Sequence, residues 1–162
     1  MSTTNKYDAW TPDLQVKALK RVAQSIFVLG VGVGVIAVAR LLDAPIAVIV
    51  LGYIGLAVAI MIAPLVFMTS GLMAGDEPYG RLQKFTDEFC QHAINKGYKN
   101  VSLGLVVMSL VLFYVADGVI NDLLTIDVTF RELGGLYVLF AALIWAFTIM
   151  RLIKADDDER LT

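Results

Sequence analysis

Four long stretches of this chain carry almost no charge, and no other feature restricts its fold as strongly. They run over residues 22–42, 46–67, 101–120 and 133–153. A helix needs about 20 mostly apolar residues to cross roughly 30 Å of hydrocarbon, and each stretch has that length. A soluble domain is typically about 25% charged. This chain is 17% charged and 58% hydrophobic, and its mean hydropathy is +0.74. Its charges gather near the N-terminus, over 76–99, over 117–132 and after Arg151. Nothing alternates polar and apolar as a barrel strand must. The expected fold is an all-α polytopic membrane protein, with 1–162 forming one transmembrane domain of four helices in two antiparallel hairpins.

The basic residues give an orientation. Eleven of the 13 Lys and Arg fall on the N-terminal segment, the 68–100 loop and the C-terminal tail, leaving only Arg40 and Arg131 on the other side. Cytoplasmic loops carry such an excess. Both termini are therefore expected in the cytoplasm, with the chain in a plasma (bacterial inner) membrane. The first apolar run is too long for a signal sequence and lacks a small-residue cleavage site, so it reads as a retained anchor. The single cysteine, Cys90, falls on the cytoplasmic side and reads as a free thiol.

Local signals fill in the elements. Thr11, Pro12 and Asp13 form a helix start, from which one helix should run unbroken into the first span. Asp43, Ala44 and Pro45 make a tight turn between spans one and two. Pro64 lies near the end of span two, where its missing N–H tends to kink a helix. Over 81–97, Leu82, Phe85, Phe89 and Ala93 recur at helical steps. This predicts a short amphipathic cytoplasmic helix between spans two and three, with Gly97 as its C-cap. Its apolar face has three open roles: docking a partner, lying in the membrane interface, or covering the end of its own bundle. The two halves also share a faint pattern of basic lead-in, span, acidic turn and span, as parallel repeats would.

The stretch from Val28 to Val35, VLGVGVGV, raises two readings of its glycines. A dinucleotide fingerprint needs a third glycine at the sixth position after a strand. Counting from Gly30, that position is Val35, and the stretch sits at the centre of a span. The small-xxx-small reading fits better, because it lets two membrane helices approach closely. Gly30 and Gly34 are expected to pack against Gly52, Gly55 and Ala59 of span two, forming the seam of the first hairpin.

The chemistry-bearing residues are few. The one histidine, His92, lies outside the spans. A bis-histidine haem or a histidine metal site within the bundle is thus excluded for the isolated chain. There is no phosphate-binding loop, no serine-histidine-aspartate set and no mid-span carboxylate of the kind ion-coupled transporters use. Arg40 and Asp117 sit at similar depth near the outer ends of spans one and three. They are expected to pair, to face the interior, or each to reach the outer headgroups. Asp122, Asp127 and Glu132, with Asp117, mark an outer acidic mouth that could attract cations.

The residues favour a non-catalytic scaffold or accessory subunit, homo-oligomeric or within a larger membrane complex, with membrane lipids as partners. The alternative is a homo-oligomeric channel, small transporter or membrane-permeabilising protein. No enzyme activity, cofactor, metal or nucleic-acid partner is expected.

Overall fold

The computed structural model describes the backbone of residues 11–69, 85–118 and 129–159, with side chains over 11–62, 85–113 and 129–159. Four helices occupy them: α1 (Pro12–Leu41), α2 (Ile46–Thr69), α3 (Glu88–Gly118) and α4 (Phe130–Glu159). No strand occurs among the described residues. Helix α1, Glu88–Phe113 of α3, and α4 are each long and apolar enough to cross a membrane, and Ile46–Ile62 of α2 is a shorter apolar helix.

Helix α1 begins where its sequence signals place it. Thr11 is extended, Pro12 takes the first helical position and Asp13 meets the positive helix end, although the Thr11 side chain makes no capping bond. At the other end the Asp43 N–H donates to the Arg40 carbonyl at 3.1 Å and the Ala44 N–H to the Ala39 carbonyl at 2.9 Å. That pair of bonds is the Schellman stop, which needs a left-handed residue just past the helix. Asp43 supplies it with φ 46°. The Pro45 carbonyl then accepts the Val48 N–H at 2.8 Å, and α2 starts. Its backbone stays helical past Pro64 to Thr69.

The short helix expected over 81–97 is not a separate element. Residues 88–97 form the first turns of α3, which continues without a break to Gly118. Gly97 is therefore no C-cap. It sits mid-helix, where a Cβ would lie 2.9 Å from the Trp145 ring. Close packing of α4 on this point holds the helical path through Gly97 and overrides its weak helix propensity.

The helices lie side by side in the order α2–α1–α4–α3. Helix α1 packs most extensively on α4 and also on α2. Helix α3 packs on α4 and only brushes α1. Facing pairs give the directions. On α1 and α4, Gly30 meets Ala142, Gly34 meets Leu139 and Gly135 meets Ala37, so residue numbers rise on one helix as they fall on the other. The pairs Gly32–Leu56 and Ile36–Gly52 show the same for α1 and α2, and Gly97–Ile149 and Gly104–Ile144 for α3 and α4. Parallel repeats would match the α1–α4 contact with one between α3 and α2. No such contact occurs among the described residues.

The densest core lies at the end where α1 begins and where Lys17, Lys20, Lys96, Lys99 and Lys154 gather, here the basic end. Leu19, Ala23, Cys90, Ala93, Trp145, Ile149 and Ile153 form it, with Phe85 and Phe89 packed against it. Two capping contacts start α3 there. The Asp87 carboxylate accepts the Cys90 N–H at 3.0 Å. Gln15, only 2% exposed, reaches across from α1, and its Oε1 accepts the N–H groups of Thr86 and Asp87 at 2.8 and 3.0 Å. Gln15→Ala strands both donors. An unmet buried N–H costs about 1–3 kcal/mol, but Thr86 is exposed and Asp87 half-buried, so water meets part of the need and a loss of roughly 1–2 kcal/mol is expected in detergent unfolding. Gln15→Glu keeps an acceptor for both N–H groups, though not the Nε2 donation to Thr86 Oγ1, and is expected to lose less.

Cys90 lies in the first turn of α3, ahead of the apolar run that begins at Val101. Burial, then the neighbouring Asp87 carboxylate, pushes its thiol up to about 12. The thiolate is the reactive form. Maleimide labelling at pH 7 is expected to be negligible in the folded protein and complete in denaturing detergent. Fast labelling without denaturant would contradict this placement.

Candidate functional site

At the end opposite the basic core, the last turn of α1, the second turn of α2 and the first turn of α4 bring charged residues together. Glu132 is the third residue of α4 and only 7% exposed. Its Oε2 accepts the backbone N–H of Thr129 at 3.1 Å, as the acidic partner of a capping box does. Its Oε1 lies 3.8 Å from Nη1 of Arg40. Arg40 stands in the last turn of α1, where a cation complements the negative helix end.

Tyr53 links the third helix. Its ring centroid is 5.9 Å from the Arg40 guanidinium carbon and 5.8 Å from that of Arg131. Arg131 Nη2 also donates to the Tyr53 hydroxyl. Both guanidiniums thus lie within cation–π reach of one ring. The Arg40 Nε is buried and has no hydrogen-bond partner among the described residues. These groups border a cavity of about 120 Å³ whose remaining wall includes Val33, Ile36 and Leu56. Among the described residues, two guanidiniums and one carboxylate border this cavity. The cluster ties three helices at one end and holds charge there. No group of three or more metal-capable side chains occurs among the described residues.

The structure redistributes several residues singled out by sequence. Gly30 and Gly34 do not pack on α2. Their open sides face Ala142 and Leu139 of α4, because α1 lies between α2 and α4 and presents this face to α4. Gly52 does face α1, against Ile36, whereas a Cβ on Gly55 would meet nothing within 4 Å. Ala59 is buried. Among the described residues, Arg40 has Glu132 as an ion partner. Asp117 belongs to α3, and its side chain lies outside the described residues, as do Asp122, Asp127 and Leu82. Glu132 itself is buried, its carboxylate held by the Thr129 N–H and Arg40. Phe85 and Phe89 are half-buried against the protein's own core.

The capping role of Glu132 and the part played by Tyr53 went unread in the sequence. The stretch Thr129-Phe130-Arg131-Glu132 carries the Thr-x-x-Glu capping-box spacing ahead of an apolar run, and that signal could have marked Glu132 as a cap. Tyr53 gave none, since a tyrosine inside an apolar span is most simply a packing residue. No protein-family model matches the chain, and no curated protein or solved structure matches it significantly.

Proposed function

We propose that the chain is an integral membrane protein of two antiparallel hairpins with both termini cytoplasmic. In this reading it works without catalysis as an oligomeric scaffold or accessory subunit of a membrane complex. The observation that supports this most is the open helix order. Only 6% of the apolar window of α3 is buried, against 39% for α1. Leu103, Val106, Val107, Leu110 and Val111 of α3 are exposed, as are Leu51, Ile54, Val58 and Met61 of α2. Exposed apolar patches of this extent mark membrane or protein contacts. Lipid or neighbouring subunits cover both edges. The excess of Lys and Arg at the basic end sets the orientation by the positive-inside rule.

Alkaline carbonate extraction followed by native mass determination in mild detergent tests this reading. The chain is expected in the membrane pellet, and then as a defined homo-oligomer or with a stoichiometric partner. Recovery in the carbonate supernatant would refute membrane insertion. A lone oligomer that conducts ions in a planar bilayer would favour the channel reading instead.

A further inference from the structure

A second cleft lies between α3 and α4 at the basic end, with a cavity of about 480 Å³. Lys96 and Asn100 line it from α3, one helical turn apart, and Thr148 and Arg151 from α4. The Asn100 Nδ2 donates to Thr148 Oγ1 at 3.1 Å across the seam. That bond leaves a second Asn100 N–H and the Thr148 hydroxyl hydrogen available to a ligand. Lys96 and Arg151 are exposed, and neither has an ion-pair partner among the described residues. No acidic side chain lines the cleft among the described residues. Asp156, the nearest acid after Arg151 in sequence, is close enough to Cys90 to raise its thiol. Phe147, 58% exposed, and Leu152 give the cleft an apolar flank.

Two uncompensated cations, hydrogen-bond donors between them and an apolar flank suit an anionic amphiphile. Arg binds phosphate oxygens through its planar fork and Lys as a point charge. Basic pockets between membrane helices on the cytoplasmic side hold anionic headgroups. We propose that this cleft binds the phosphate of an anionic phospholipid from the cytoplasmic leaflet, with an acyl chain along Phe147 and Leu152. The proposal rests on the membrane placement given above. It goes beyond that placement by naming the ligand class and the residues that select it.

Full-length protein in mild detergent, titrated with phosphatidylglycerol or phosphatidylcholine and read by native mass spectrometry, tests it. The wild type is expected to retain phosphatidylglycerol in preference to phosphatidylcholine. Lys96→Gln with Arg151→Gln is expected to lower phosphatidylglycerol retention roughly 10- to 30-fold. Lys99→Gln with Lys154→Gln removes the same charge outside the cleft and is expected to leave retention unchanged. Arg151→Glu, a single exposed change, gives the same answer should the double variant fold poorly. Equal losses in the cleft and control variants, or no preference for phosphatidylglycerol, would overturn the proposal. So would complete displacement of the lipid by inorganic phosphate at matched ionic strength, which would make this a free-anion site. Carbonate extraction reports separately on membrane insertion, so failure of that reading is distinguishable from failure of the lipid site.

Discussion

Replacing Gly30 with Leu is expected to force α1 and α4 apart, whereas replacing Gly55 with Leu is expected to do little. A Cβ at Gly30 collides with the Cβ of Ala142, an atom fixed to the α4 backbone that no rotamer change can move. At Gly34 a Cβ would stand 2.5 Å from Leu139 Cδ2 and 2.8 Å from its Cβ, and at Gly135 it would stand 2.7 Å from the Cβ of Ala37. Overpacking a close seam costs about 1–3 kcal/mol and occasionally more. Gly30→Leu belongs at the upper end, because the whole leucine side chain follows the displaced Cβ. Gly55 has open space, and a leucine there gains helix propensity of up to about 1 kcal/mol. Gly32 lies between these cases. Its nearest neighbour is Leu56 Cδ1 at 3.3 Å, a flexible tip that can yield to Gly32→Ala. Unfolding of the three variants in detergent, followed by circular dichroism, ranks them. Equal loss from Gly30→Leu and Gly55→Leu would contradict the α1–α4 seam.

Glu132→Ala is expected to be the most damaging single change among the charged residues. It removes the counter-ion of Arg40 and the acceptor of the Thr129 N–H together. Breaking a fully buried ion pair costs about 3–5 kcal/mol. The Arg40 side chain is 35% exposed, so water recovers part of that charge. Adding about 1 kcal/mol for the lost cap, a total of roughly 2–4 kcal/mol is expected. Glu132→Gln keeps a capping acceptor but not the charge and should lose about half as much. A double-mutant cycle with Arg40→Met isolates the ionic part, since the arginine no longer needs a partner in that background. Coupling near zero would show that Glu132 acts through the cap alone. Arg131→Ala should cost less than either change. Arg131 is exposed and its tie to Tyr53 is a surface contact.

The helical class was legible in the sequence because it depends on local quantities. Uncharged length, a proline at the first turn of α1 and the Asp43–Pro45 turn act within a few residues of themselves. The helix ends at Leu41 and Ile46 followed from them. The helix across Gly97 did not. Glycine after Lys96 and before Tyr98 reads as a stop, and only the Trp145 ring packed on it makes it a continuation. The capping of α3 by Gln15 was equally invisible, since its partners Thr86 and Asp87 are some 71 positions away in the chain.

The candidate site divides along the same line. Arg40 stood out because a cation near the end of an apolar span is costly and needs an explanation. Its partner did not, because depth alone places Asp117 and Glu132 on equal terms. By itself the sequence determined which segments are helical and that Gly30 and Gly34 share one small-residue face. The tertiary structure decided that this face meets α4, that Glu132 turns inward, and that α2 and α3 become the uncovered edges. A small-residue face specifies close approach without naming the helix that approaches. That choice is settled by how every other face packs at once.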